Sequence, residues 1–378
     1  DSIPFLPAEI RRYRPDLGMM HWETVLDTRD IDGSGPFETN GFRQLLPYHA
    51  EADGVLYLYA GSFGADASLW RSRTGGPGDW EKTFSSGEPG SIRAMAVHNG
   101  ILYFATTILD LLEDDESFGS AKGVIYGTDG ATVWTVIEGG FGNEENLETI
   151  VLHSFNGWLY AGTRNRAQGY EVWKFAGPGM PVETAVPIVT AGGPDSRNES
   201  AGTMLIFQEK LYVGSLIFGG LISGFRNAKG ADLIRINTDD TWDTVVGTGS
   251  VGGVESGFGS KRNAYLWSLE EHDGMLYAGT WDDSIVIVGG LANADDFIRG
   301  EFDRDNLEGI DNNPLNPLFK VGGDLYRSAD GVHWDLVFNN GLGNPNNYGV
   351  RTMESAGGDL YLGFANPTDG LDIWRSIP

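Results

Sequence analysis

Cysteine is absent from the 378 residues, which excludes disulfide bridges, zinc-thiolate centres and cysteine nucleophiles. No apolar run approaches the roughly 20 residues that a membrane-spanning helix needs, so no membrane span is expected. Basic residues are scarce. Lys and Arg number 26 against 53 Asp and Glu, a net charge of -27. No basic footprint is left to neutralise phosphates, which argues against a nucleic-acid partner. An acidic surface of this kind suits an extracellular or salt-rich setting, where like charge keeps molecules apart. The chain opens at Asp1 with neither Met nor an apolar leader. The expectation is a mature, secreted protein, extracellular or periplasmic. Helix-period patterning is also scarce.

Glycine is what the sequence has in quantity, 55 residues of it, set among short alternating runs rich in aromatic and β-branched side chains. These runs repeat at intervals of roughly 50 residues, the spacing of a repeat architecture. The stretch Asn347–Ser376 shows the unit: GVRTMESAGG, then DLYLGF, then DIWRS. Its second run recurs near Leu56, as ILYFATT from Ile101, WLYAGT from Trp158, LYVGS from Leu211 and MLYAGT from Met275. Its third run recurs as SLWRS from Ser68, GVIYG from Gly123, YEVWK from Tyr170, DLIRI from Asp232 and DLYRS from Asp324. A fourth run follows as DWEKTF from Asp79, TVWTVI from Thr132, TWDTVV from Thr241 and HWDLVF from His333, with a weaker PVETAV from Pro181.

A four-stranded antiparallel meander cannot bury both its faces alone, and packing copies around an axis resolves this as a β-propeller. The expected fold is all-β: one domain over residues 1–378, a six-bladed β-propeller with blades near 42–84, 91–138, 147–190, 200–247, 264–339 and 348–378. The last copy lacks a fourth run, while HWETVL from His21 matches HWDLVF closely. The N-terminal segment, residues 20–28, is therefore expected to close the ring as the outer strand of the last blade. Between copies, GFGNEEN, GFGSKRN and GLGNPNN are expected to be structural loops, with glycines free to take positive φ and asparagine closing the turn.

The turn SADGVHW, Ser328 to Trp334, resembles the Asp box of sialidase-like propellers, one residue shorter than Ser-x-Asp-x-Gly-x-x-Trp; TDGATVW from Thr128 departs further. The whole repeat resembles secreted bacterial and archaeal propeller-repeat proteins. That likeness implies an architecture and leaves the activity open. FRQLLP from Phe42 resembles the first-strand arginine motif of sialidases, but no Tyr-Glu nucleophile pair accompanies it.

All six histidines fall at repeat positions, which points to scaffold and away from a triad or a histidine metal site. Most tryptophans also keep to repeat columns and are expected to pack between blades. Trp267 and Trp281 do not. They are candidate stacking platforms, or packing beneath the long insertion that follows Trp281. Aligned first strands place Arg43, Arg93 and Arg351 in one column, occupied elsewhere by Ile150, Gly202 and Trp267. Converging guanidiniums would bind a carboxylate, sulfate or phosphate. Alternatively, the arginines lie in seams between blades and pair with carboxylates such as Glu148 or Glu354. Glu148, Asp282 and Asp283 are candidate catalytic carboxylates, ligands for a calcium ion, or part of a solvated acidic rim.

Enlarged loops follow Leu109, Leu216 and Trp281, and loops that outgrow their structural need often carry function. Two functions compete. One is binding, and processing, of a small anionic or carbohydrate ligand at an axial pocket, with Trp267 beside Arg351. The other is a non-catalytic protein partner held by the enlarged loops.

Overall fold

The computed structural model describes residues 8–17, 21–30, 39–108, 123–177, 184–217, 229–284, 321–366 and 369–376. The enlarged loops expected to hold a protein partner lie almost wholly outside these residues. The chain is all-β and antiparallel. Among the described residues no helix is long and apolar enough to cross a membrane. Two compact units divide it: residues 1–164 with 172–187, and residues 165–171 with 188–378.

The first unit begins with β1 (Glu9–Tyr13) and β2 (Trp22–Asp27), a two-stranded sheet. A meander follows, β3 (Gly41–His49), β4 (Leu56–Gly64), β5 (Ser68–Ser72) and β6 (Trp80–Ser85), each strand paired to the next. A second contains β7 (Gly90–His98), β8 (Ile101–Ile108), β9 (Val124–Thr128) and β10 (Val133–Ile137). A third contains β11 (Glu148–Phe155), β12 (Trp158–Arg164) and β13 (Val172–Phe175). β14 (Val186–Val189) follows across the boundary between the units. This strand is VPIV, a few residues beyond the expected PVETAV. The β-branched Val186, Ile188 and Val189 around Pro187 outweigh the weaker match to the repeat.

The second unit holds β15 (Ser200–Phe207), β16 (Lys210–Leu216), β17 (Leu233–Ile236) and β18 (Trp242–Val246). Then come β19 (Asn263–His272), β20 (Met275–Asp282), β21 (Leu325–Ser328) and β22 (Asp335–Phe338). The last described meander is β23 (Gly349–Ala356), β24 (Asp359–Ala365) and β25 (Asp372–Arg375).

Core residues sit between consecutive meanders. Tyr59 and Leu69 of one pack with Ile92, Met95 and Phe104 of the next. In the second unit Tyr212, Leu233 and Val245 meet Leu266, Leu269 and Leu276 in the same way. The glycine of the repeated second run permits this approach. A Cβ at Gly61 would lie 2.4 Å from the carbonyl oxygen of Ile92, and one at Gly279 would lie 2.6 Å from Cβ of Val350. Only glycine lets the central strand touch its neighbour's backbone.

The connections share a buried asparagine module. Asn198, Asn263 and Asn347 each donate from Nδ2 to a glycine carbonyl six residues earlier, and to the aspartate that opens a third strand: Asp232, Asp324 and Asp372. Each asparagine Oδ1 accepts from a group at the end of a second strand: Ser215, Thr280 and Asn366. The expected loops are thus structural, and Gly192 to Asn198 is one more of them.

The N-terminal expectation is corrected. β2 pairs with β1, and Ile10, Val25 and Leu26 pack with Ala60, Trp70 and Trp80 of the first meander. Sequence likeness to HWDLVF identified a strand, but burial of Trp70 and Trp80 explains where its apolar face lies. The tryptophans also differ from expectation, since Trp134 and Trp374 are exposed. Trp134 covers Gly127 of its own meander, where a Cβ would meet the indole at 2.8 Å. The SADGVHW turn is closed by Asp330, whose Oδ1 accepts the backbone N–H groups of Val332 and His333 at 2.8 Å each.

Candidate functional site

The column that holds the three arginines is a β-bulge. Arg43, Arg93, Ile150, Gly202, Trp267 and Arg351 are each skipped in the register of a first strand against its second. A bulged residue leaves the ladder and its side chain is re-aimed, a device common near functional sites. What each side chain meets differs from copy to copy: a residue at the end of the second strand for Arg43, the residue two before the next bulge for Arg93, and the bulged residue of the preceding copy for Arg351.

In the second unit these positions build an aromatic cluster. β20 reaches β23 through the pair Trp281 and Gly349, and Asp282 N–H donates to the carbonyl of Tyr348 at 2.8 Å. The guanidinium carbon of Arg351 lies 4.7 Å from the Trp267 ring centroid, the neighbour relation expected from the sequence. Trp267 meets Trp281 edge-on at 6.1 Å, and Tyr265 lies 4.2 Å from Trp281. Tyr348 closes the group at 6.4 Å from Trp281. Gly349 makes room for both indoles. A Cβ there would sit 2.6 Å from Trp267 and 2.9 Å from Trp281.

Trp267 is half-buried, whereas Trp281 is 7% exposed. The Trp281 indole N–H is buried with no hydrogen-bond partner among the described residues. A buried donor left unpaired costs about 1–3 kcal/mol and calls for an explanation, such as a water or a ligand.

Asp282 and Asp283 continue from Trp281. Both are buried, at 4% and 3% exposure. Asp282 Oδ1 accepts the backbone N–H of Ser284 at 2.7 Å. Burial pushes its carboxyl up to about 7, with Ser284 opposing and Asp283 and Asp324 reinforcing the rise. Asp283 accepts from Arg262 at 3.1 Å. Burial raises it to about 6, and the Arg262 guanidinium holds it from going higher. Near neutral pH one of these carboxyls therefore keeps its proton in part, the state a general acid requires. Among the described residues no group of three or more His, Asp or Glu side chains is placed to hold a metal ion.

The first unit places its residues differently. Arg43 is exposed, with its guanidinium carbon 4.4 Å from the Phe63 ring centroid. Glu148 is buried, and accepts from Arg164 at 2.7 Å and from Thr107 at 3.3 Å. Arg93 stands 3.7 Å from the same carboxylate. Glu148 is thus held in a cationic pocket, and Arg93 occupies the seam described as the alternative for the arginine column.

Tyr265, Tyr348, Arg262 and Arg164 were not singled out from sequence. Two of them carried a signal. Tyr265 stands two before Trp267 on one strand face, and Arg164 follows WLYAGT as Trp281 follows MLYAGT.

No protein-family model matches the chain, and no curated protein matches it. Among solved structures, an ancestral GH74 enzyme aligns with a TM-score of 0.52 at 13% identity, over 90% of this chain and 42% of that one. This chain therefore spans about two-fifths of that enzyme. A neuraminidase-like protein of A/little yellow-shouldered bat/Guatemala aligns with a TM-score of 0.43 at 10% identity, over 90% of this chain and 97% of its own. An α-L-arabinofuranosidase from Clostridium thermocellum aligns with a TM-score of 0.36 at 13% identity, over 76% and 90%. The likeness to the GH74 enzyme is one of fold, and the fold is the β-propeller.

Proposed function

We propose that the protein is a secreted six-bladed β-propeller that binds, and processes, an acidic carbohydrate, seated on Trp267 and Arg351. One observation carries this reading: the Arg351 guanidinium laid over a half-buried indole, beside a second indole whose N–H has no partner among the described residues. Stacking on Trp267 fixes the guanidinium plane, so its N–H edges are preorganised for a carboxylate. An indole supplies the apolar surface on which a sugar ring lies. Asp282, with its carboxyl raised to about 7, takes the role of proton donor to a leaving oxygen, and Asp283 stays oriented by Arg262. The GH74 enzyme of similar fold supports a carbohydrate-directed role.

The test is a tryptophan-fluorescence titration of the whole chain with glucuronate and galacturonate oligosaccharides, with neutral glucose oligosaccharides as the comparison. Saturable quenching by the acidic sugars is expected. It should vanish when Trp267→Phe and Trp281→Phe are combined. Arg351→Ala should weaken acidic ligands by about 1.5–3 kcal/mol, the worth of a charge-assisted hydrogen bond, and leave neutral ones unchanged. A fluorescence response that survives in the double variant would overturn the reading.

A further inference from the structure

We propose that Arg93 and Arg164, gathered on one carboxylate of Glu148, form a second binding site, for a small oxyanion, carboxylate or sulfate. The site lies in the first unit and stands apart from the aromatic platform. Glu148 opens β11 and is 5% exposed. Its Oε1 accepts from Arg164 at 2.7 Å and its Oε2 from Thr107 at 3.3 Å. Both oxygens already have a donor without Arg93.

Arg93 approaches Oε2 only to 3.7 Å, an ionic contact beyond hydrogen-bond distance. Among the described residues its guanidinium makes no hydrogen bond with the protein. Two guanidiniums thus stand at one carboxylate, in a protein whose net charge is -27. A pair serving the fold alone would need one arginine. The second is surplus cation, aimed by the bulge that lifts Arg93 out of the β7 ladder.

Both arginines remain open to solvent, with side chains 27% and 19% exposed. An oxyanion beside them would accept the N–H donors that Arg93 does not spend on the protein. Guanidinium geometry suits both carboxylate and sulfate, since each offers two oxygens at the spacing of the fork.

This placement makes a prediction whose sign a structural ion pair would not share. Glu148 competes with the incoming anion for the same cations. Glu148→Gln keeps an acceptor for Arg164 yet removes the competing charge, so it should tighten anion binding several-fold even as the melting temperature falls. Arg93→Gln should weaken binding about tenfold or more with the melting temperature unchanged.

The experiment is calorimetric titration of the whole chain with sodium sulfate and, separately, sodium acetate, at constant ionic strength. One saturable site per chain is expected, and the tighter of the two probes assigns the ligand as sulfated or carboxylated. Trp267→Phe should leave this titration unchanged, which separates the site from the aromatic platform. No saturable heat with either anion, full affinity in Arg93→Gln, or weaker binding in Glu148→Gln would each overturn the proposal.

Discussion

Replacing Asp282 by asparagine removes a carboxylate that the fold holds at 4% exposure. Its folded-state pKa is raised from 3.8 to about 7, chiefly by burial. Between roughly pH 4 and pH 7 the folded chain therefore binds more protons than the unfolded chain, and stability falls as pH rises through that window. At about 1.36 kcal/mol per unit, the charged carboxyl costs the fold on the order of 4 kcal/mol above pH 7. Part of the rise comes from Asp283 and Asp324, so about 2–4 kcal/mol is expected from this residue alone. Asp282→Asn stays neutral at every pH, and its Oδ1 can still accept the Ser284 N–H. Urea unfolding followed by tryptophan fluorescence should find the variant about as stable as the parent at about pH 3.5, below the unfolded pKa, and more stable by that amount at about pH 8. The variant should still retain some pH dependence, because Asp283 and Glu270 are raised in the same direction. A variant destabilised equally at both pH values would refute the reasoning. It would mean that the carboxylate is ionised in the folded protein and held by a cation, such as calcium.

Asn263→Ala should cost about 3 kcal/mol, roughly 1 kcal/mol for each of three hydrogen bonds, because it removes the amide's contacts to the carbonyl of Gly257, the Asp324 carboxylate and the Thr280 hydroxyl in a buried module; chemical denaturation measures it, and a loss below about 1 kcal/mol would show that water replaces the amide. Deleting residues 1–28 should lower stability by about 5 kcal/mol or more, since Ile10, Val25 and Leu26 leave the Trp70 and Trp80 faces at 1.5–3 kcal/mol for each buried aliphatic side chain. Calorimetry would report that loss, and an unchanged melting temperature would show that the β1–β2 sheet contributes nothing to the first meander.

The meanders were legible because their signals are local: alternation at period two, a turn glycine, and a glycine where one central strand touches the next, as at Gly61 and Gly279. Partnership is not local. HWETVL reads as a strand, yet its partner β1, EIRRY, has no counterpart in the repeat, and what places the pair is apolar surface on Trp70 and Trp80 that no pattern within the segment announces. The asparagine module was half visible. The spacing of Gly and Asn could be counted, but that Asn263 reaches Asp324, 61 residues on, follows only from the packing. The arginine column shows the division most sharply. Turn chemistry sets the register of each first strand, so alignment on the turns recovered a true structural position, the bulge. A bulge specifies where a side chain departs from the ladder and leaves its partner to whatever the second strand or the neighbouring meander presents. Phe63 gives Arg43 an aromatic face, Glu148 gives Arg93 a charge, and Trp267 gives Arg351 a stacking surface. One backbone position thus carries three electrostatic environments, and the residues that distinguish them come from a second strand in one case and from a neighbouring meander in the other two.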